Sequence, residues 1–418
     1  VRRSTTFDEA RAFEHVRALA NLGPRMAGSA ADAVARDYIV GALPLAPQQQ
    51  HFSVITGVID DARLEVIAPS QSLLPSAPFV LSGPTGEAGV DGAVIWADSP
   101  ETSDDIAGKI VLWRIGARND ILLDYDAMAA RRPSGIVVVW PSAGPLPKHQ
   151  RISEFTARRG HAPPSFVVRQ TDGRELAQRG VTRMRMTMSG AVADSAASNV
   201  IAEVVGREAG LVIVVGGHFD TAPGTPGAID NASGVAATLE LARIWALRGA
   251  RRTIRFVAWG AEKAGMCGSR HYVSALSERE LSEHGLCISM DGFGARGGEP
   301  VCYPTGDDVL IAAASRACGA DDVRVSLRSG FYGSDSEMFV QAGVPALSFG
   351  QEGPGVSLLH TAADTIDAMD MDQLGRVGRA VDAFLSEADE AEHWLFARTV
   401  SPDARDEAAR ILSRMNWL

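Results

Sequence analysis

Residues 211–262 read LVIVVGGHFDTAPGTPGAIDNASGVAATLELARIWALRGARRTIRFVAWGAE. Leu211 to Val215 is a short, continuous apolar run, the pattern of a strand covered on both faces. A turn rich in small and acidic residues follows, then VAATLELARIWALRG with helical spacing, then TIRFVAWGAE as a second strand. Strand, helix and strand in about fifty residues make a βαβ unit, so the sheet is expected to be parallel here. Working outward, NVIAEVVG precedes the unit as another strand. Downstream come a helix around residues 268–276, the strand GLCISMDGFG, a helix around 307–317, the strand VPALSFG and a closing helix MDQLGRVGRAVDAFLSEA. The fold class is α/β, with a mixed, mainly parallel sheet sandwiched by helices.

The remaining chain is organised differently. Residues 7–20 and 30–43 carry apolar positions at helical spacing and are separated by Gly23-Pro24, so two helices open the protein. From about residue 50 to 68 the text alternates in β fashion, and a Pro/Ser/Gly-rich stretch follows to residue 92. Between Ala93 and Met188 the runs AVIWA, GKIVLW, GIVVVW, SFVVR and TRMRMTM, separated by turns and one or two short helices, suggest a compact β-rich insert. The expected division is 1–66 as the N-terminal part of the catalytic domain, 67–192 as the insert, 193–395 as the catalytic domain and 396–418 as a helical tail. That tail can start at Ser401-Pro402, with Ala408, Ile411, Leu412, Met415 and Leu418 as an apolar stripe for the core or a second subunit.

Composition narrows the function classes. A chain of 418 residues with 46% hydrophobic and 22% charged residues is globular, not disordered. A net charge of −11 works against general attraction to nucleic acid or anionic lipid. No apolar run approaches the ~18–20 residues that span a bilayer. Four cysteines, Cys267, Cys287, Cys302 and Cys318, are too few for a disulfide scaffold and lack zinc-knuckle spacing. Arg2-Arg3 is followed by no apolar stretch, so a cytoplasmic enzyme is expected, a secreted mature form being the alternative.

Chemistry-bearing residues gather at the ends of the predicted strands, where open α/β sheets place ligands. His218 and Asp220 follow LVIVV, two positions apart and hence on one side of an extended segment. Asp230 lies in the GAIDNASG turn, Glu262-Lys263 after TIRFVA, and Asp291 after GLCIS; His360 and Asp364 sit in a loop before the last helix. Histidine with carboxylates suits a divalent metal that keeps an open position for water, and a nearby carboxylate can then accept that water's proton. Taken singly, a histidine at a strand end is a structural hydrogen-bonding group and an Asp-Asn-Ala-Ser-Gly string a helix cap. The conjunction favours a site.

GGHFDT, DNASG, WGAE, SMDG, SDSEMFVQAGVPALSF and HTAADT occur in an order and spacing that resembles the bacterial zinc aminopeptidase family, which has plasma glutamate carboxypeptidase-like and glutaminyl-cyclase-like members. DIAGKIVLWRIG and MAARRPSGIVVVW in the insert are similar to a protease-associated domain. The resemblance implies that His218 and Asp291 ligate one metal, that Asp230 bridges to a second, that His360 ligates the second, and that Glu262 is the general base. It also implies that Asp220 orients His218, that Asp364 does the same for His360, and that Asp335 supports the site from behind. Zinc is the implied metal, with manganese or cobalt as alternatives at an oxygen-rich site.

The chain departs from that pattern at one decisive place. The family's Glu-Glu pair is Glu262-Lys263 here, and an ammonium has no lone pair for a metal. One ion per chain is therefore expected over two, with Lys263 pairing with Asp230 or polarising a substrate oxygen; an outward-turned Lys263 is the alternative. A cation there opposes the α-ammonium of an aminopeptidase substrate. Arg324, Arg328 and Tyr332 precede the SDS motif and can complete an anion pocket, or be ordinary surface residues. The expected activity is hydrolysis of an amide or other C–N bond in a small carboxylate-bearing molecule or short peptide. A dinuclear aminopeptidase or dipeptidase, a cyclase-type acyl transferase and a non-catalytic peptidase-fold binding protein are the alternatives. A homo-oligomer is compatible with the sequence.

Overall fold

The computed structural model describes residues 5–414 except 103, 116–120, 142–145, 147–150, 153, 159 and 161. Its chain falls into two compact units, one formed by residues up to 54 together with 196–413 and one by residues 55–195.

The first unit is built on one twisted sheet. Its strands run in the spatial order Ser326–Leu327, Glu299–Thr305, Ala346–Glu352, His284–Met290, Val212–His218, Thr253–Trp259 and the end of Arg183–Val204. The four strands from Ala346–Glu352 to Thr253–Trp259 are mutually parallel, and an antiparallel neighbour flanks them on each side. The alternation of side chains explains why these strands read as unbroken apolar runs. Ile213 and Val215 enter one core with Phe256, Ile288 and the helices Glu9–Ala20, Ser233–Arg248 and Met371–Glu390. Val214 enters the opposite core with Val257, Cys287, Tyr272 and Phe339, which the helices Cys267–Ser274 and Ser336–Gln341 supply in part. The C-terminal helix Pro402–Arg414 docks on this second face through Ala408, and Val400 just before the helix packs there too. Of the stripe expected for it, Ala408 and Leu412 are buried, while Met415 and Leu418 lie outside the described residues.

The second unit holds a parallel ladder of Val90–Ala97, Ile110–Arg114, Gly135–Val139 and Ser165–Val168, edged by Ala77–Pro78. Helices Ile121–Ala130 and Gln170–Gln178 alternate with the strands, in keeping with the short helices expected between the β-rich runs. The insert's boundaries differ from the expected 67–192. Gln48–Ala68 and Arg183–Val204 are single strands of 21 and 22 residues that pass from one unit into the other without a break. A composition change at residue 69 therefore marks the end of a strand and not the edge of a unit. The predicted tail from 396 is likewise part of the first unit.

Candidate active site

His218 is the last residue of its strand and lies level with Trp259 of the parallel neighbour. The glycines around it are there for space: a Cβ on Gly217 would stand 2.7 Å from the Met290 carbonyl oxygen, and one on Gly234 2.1 Å from the same atom. The start of helix Ser233–Arg248 can therefore close onto the strand ends. His218 Nδ1 lies 3.0 Å from the Asp220 main-chain oxygen, which only accepts, so the proton sits on Nδ1 and Nε2 faces the site. The Asp220 carboxylate, expected to orient the ring, stays 3.6 Å from Nδ1 and does something else. Its two oxygens accept the backbone N–H groups of Glu262 and Lys263, each at 2.9 Å. That bracket fixes the main-chain path through the Glu262-Lys263 pair.

Asp230 is buried in the turn before the helix. Asp364, expected behind His360, instead accepts the N–H groups of Ile229 (2.6 Å) and Asp230 (3.1 Å) and so shapes the turn that carries Asp230. Burial, with Asp230 nearby, pushes the Asp364 carboxyl up to about 7. Asn231 ties two turns together: its Oδ1 accepts from Gly234 N and Gly292 N, and its Nδ2 donates to Met290 O. Arg25, wholly buried, donates to the carbonyls of Leu19, Phe219, Pro226 and Gly227 and props the same loop from beneath. Burial lowers its guanidinium to about 10.

Lys263 turns inward. Its Nζ lies 2.8 Å from Glu262 Oε2, 3.0 Å from Asp230 Oδ1 and 3.4 Å from His218 Nε2, and its side chain is 10% exposed. Burial opposes the charge on Lys263, but Asp230 and Glu262 outweigh it and hold the ammonium well above its usual range. Asp230 moves the other way: burial favours its neutral form, yet Lys263, His218 and His360 keep it well below the normal carboxylate range. For Glu262 burial wins over Lys263 and His218, so its carboxyl is raised. His360 Nε2 sits 2.8 Å from Asp230 Oδ2, with 41% of its side chain exposed and a left-handed φ of 59°.

Asp291 completes the ring of groups, its Oδ1 3.2 Å from His218 Nε2. Its other oxygen accepts from Ser334 Oγ at 2.8 Å. Ser334 is itself held by Glu337, a buried carboxylate that accepts the N–H groups of Gly333 (2.9 Å) and Ser334 (2.7 Å). Asp335 is buried and accepts from Ser269 Oγ; its other oxygen has no hydrogen bond, and burial together with Glu262 pushes its carboxyl well up. Tyr332 does reach the site, its hydroxyl 3.5 Å from Gly292 O and its ionisation raised by burial, Asp291 and Asp230. The two arginines do not fill the expected role. Arg324 is exposed and donates to Asp321 O in its own loop, and Arg328 is paired with Glu352 at 2.8 Å. Ser334, Glu337, Asn231 and Arg25 were not singled out from sequence; the SDSE string around 334–337 was the available signal for the first two.

The donor set fits a divalent cation. Ligand atoms of His218, Glu262 and Asp291 all lie within 4.8 Å of one another. His218 Nε2 is 3.0 Å from Asp230 Oδ1 and 3.2 Å from Asp291 Oδ1, although Asp230 is not part of that group of three. Asp230 Oδ1 and Glu262 Oε2 are buried and, though near Lys263, have no partner in hydrogen-bond geometry.

Residues 199–385 match the profile of peptidase family M28. This segment is similar to M28 peptidases. Across 394 residues the chain is 26% identical to aminopeptidase YwaD of Bacillus subtilis, covering 88% of this chain and 82% of that one. It is 28% identical over 283 residues to the probable lipoprotein aminopeptidase LpqL of Mycobacterium tuberculosis, covering 65% and 55% of the two chains. Among solved structures, BSAP, a zinc aminopeptidase from Bacillus subtilis, superposes with a TM-score of 0.77 at 23% identity over 96% of this chain and all of that one. The aminopeptidase of Aneurinibacillus sp. strain AM-1 gives 0.77 at 22% identity over 94% and 96%. At these identities the structural likeness speaks for the fold, which is the mixed α/β sheet flanked by helices described above.

Proposed function

We propose that this chain is a metal-dependent hydrolase of peptide-type C–N bonds that works with one divalent ion, zinc in the first instance. The family match and the relatives named as aminopeptidases support the reaction class. The observation that carries the single-ion reading is the position of Lys263 Nζ between Asp230 Oδ1 and Glu262 Oε2. Three carboxylates, Asp230, Glu262 and Asp291, and one ammonium carry a net charge of −2, which one divalent ion neutralises. His218, Asp230 and Asp291 would hold it. Bound there, such an ion supplies Lewis acidity, lowering the pKa of a water toward ~7 and polarising a carbonyl.

The chain's own residues do the rest. Glu262, its basicity raised by burial, accepts the proton of the attacking water and returns it to the leaving nitrogen. Asp220 holds Glu262 in place through the backbone, and Ser334 keeps Asp291 turned toward His218. Lys263 is a fixed positive charge beside the reacting carbonyl, placed to stabilise a developing oxyanion. It also disfavours an α-ammonium in its neighbourhood, so a small substrate bearing a carboxylate is favoured, with Tyr332 lining its approach. The loss of Arg324 and Arg328 from the site rests that preference on Lys263.

A second reading, a dinuclear aminopeptidase, is favoured by His360, which stays 2.8 Å from Asp230 Oδ2 in spite of Lys263. Metal counted per chain by elemental analysis, together with turnover of an N-acyl amino acid against an aminoacyl amide, separates the two. About one ion and preference for the acyl amino acid are expected; two ions with preference for the free amine would establish the second reading.

A further inference from the structure

Two of the four cysteines meet at the edge of the first unit's sheet. Cys302 lies in the strand Glu299–Thr305, and Cys318 is the last residue of helix Asp308–Cys318, which begins directly after the Gly306-Asp307 turn. At 1.5 Å per residue the helix is about 16 Å long. Its buried face, Leu310, Ala313, Ala314, Ala317 and Cys318, shares one core with Cys302, so the helix runs back along the strand that precedes it. The next stretch of chain ties the two cysteines together. Val325 N donates to Cys318 O at 3.0 Å, Leu327 lies level with Cys302 in a parallel pair, and Arg328 N donates to Cys302 O at 2.9 Å. The side chains meet as well: both are free, buried thiols, and the Cys318 thiol hydrogen-bonds that of Cys302. Burial, and after it Cys318, raises the Cys302 thiol well above its usual range.

We infer that Cys302 and Cys318 are a modification site at which a low-molecular-weight disulfide introduces one intramolecular disulfide bond. One cysteine thiolate attacks a sulfur of the oxidant, forming a mixed disulfide and releasing one small thiolate. The second cysteine thiolate then attacks the first cysteine's sulfur, forming the Sγ–Sγ bond and releasing the other small thiolate. The two cysteine protons pass to the two released thiolates, and the two electrons that the cysteines give up reduce the oxidant. Ionisation of Cys302 is suppressed in the folded core, so the exchange runs through opening of the sheet edge, where strand Ser326–Leu327 is very short. The bond closes residues 302–318 into a loop and staples the strand to its helix, which stabilises chiefly by constraining the unfolded chain. The stapled strand also carries Tyr303, whose hydroxyl donates to Glu352 at 3.0 Å and whose ring lies 5.8 Å from that of Tyr332.

Peptide mapping of the full-length protein tests it. The protein is held with oxidised glutathione in urea below its unfolding midpoint, quenched with iodoacetamide in full denaturant and digested without reduction; trypsin cuts between the two cysteines at Arg316. A cross-linked pair of peptides containing Cys302 and Cys318 is expected, with Cys267 and Cys287 alkylated. The oxidised protein is expected to melt about 5 °C above the dithiothreitol-treated one. Cys318→Ala is expected to lose both the cross-link and the shift, and the wild-type map stands independently of that variant. Alkylation of all four cysteines after exposure to the oxidant overturns the inference. So does glutathione retained on either cysteine as a stable mixed disulfide, a bond from either to Cys267 or Cys287, or an oxidised protein that melts no higher than the reduced one.

Discussion

Replacing Lys263 by glutamate should change the number of ions that the protein holds. Lys263 Nζ stands 2.8 Å from one carboxylate oxygen and 3.0 Å from another, a gross attraction of roughly 5–6 kcal/mol for each pair at an effective dielectric of ~20. Desolvation of the buried groups cancels much of that, but removing the cation leaves the anions uncompensated, the costly half of a buried pair. In Lys263→Glu four carboxylates converge and the local charge becomes −4, so the metal-free protein should melt several degrees below the wild type. Two divalent ions then restore neutrality. Elemental analysis after zinc loading and desalting is expected to give about one ion per chain for the wild type and about two for the variant. The variant's melting temperature should also depend more steeply on free zinc. A wild type that retains two ions, or a variant that retains one, would refute the charge-balance reasoning.

Three further outcomes follow from individual contacts. Glu262→Gln keeps the shape of the side chain and removes its basicity, so kcat should fall by at least ~10²–10⁴-fold while zinc content and melting temperature hold; steady-state kinetics on the same zinc-loaded protein checks this. Ser334→Ala frees Asp291 Oδ2, and zinc affinity measured by competition with a chelating dye should drop ~10–100-fold, with Ser334→Thr restoring most of it. Asp32, buried close to Asp220, has its carboxyl raised from 3.8 to about 7 by burial first and the Asp220 charge second. Because the folded value lies above the unfolded one, its favourable contribution is complete below about pH 4 and is lost as pH rises through 7. Integrated over that window the effect is on the order of 4 kcal/mol. Denaturant titrations from pH 4 to 8 should therefore show a shallower loss of stability in Asp32→Asn; equal slopes would refute the assignment.

The sheet was legible in the sequence because its central strands are buried on both faces and bounded by glycine turns, so Leu211–Val215 and TIRFVA could hardly be read otherwise. The residues at those strand ends were legible for the same reason: a parallel sheet brings His218, Glu262 and Asp291 to one edge without any knowledge of the loops. Side-chain partners were not. Asp220 and Asp364 were expected to serve the imidazoles and instead serve backbone N–H groups, since a two-residue spacing sets a face and not a hydrogen-bond partner. Arg25 is separated from the loop it supports by about two hundred residues, so no local pattern announces it. Arg324 and Arg328 were placed near the site by sequence proximity to Ser334, but Arg324 lies in the loop before the short strand Ser326–Leu327 and bonds Asp321 O, while Arg328 just after that strand is paired with Glu352.

The Asp220 bracket bears on how a lysine is accommodated at position 263, where the resemblance implies a glutamate. Its carboxylate binds the main chain at 262 and 263 and makes no demand on the side chain at 263, so the backbone there is fixed whichever residue follows Glu262. A glutamate and a lysine start from the same Cα and point along the same bond. The longer side chain brings its ammonium to 3.0 Å from Asp230 Oδ1. Exchanging one carboxylate for one ammonium changes the local charge by +2, the same as adding a divalent ion, so under the single-ion proposal the lysine stands in electrostatically for a second ion. Neither the lysine nor one ion alone leaves the buried ring neutral. That coupling is why Lys263→Glu should register in metal count before it registers in the fold.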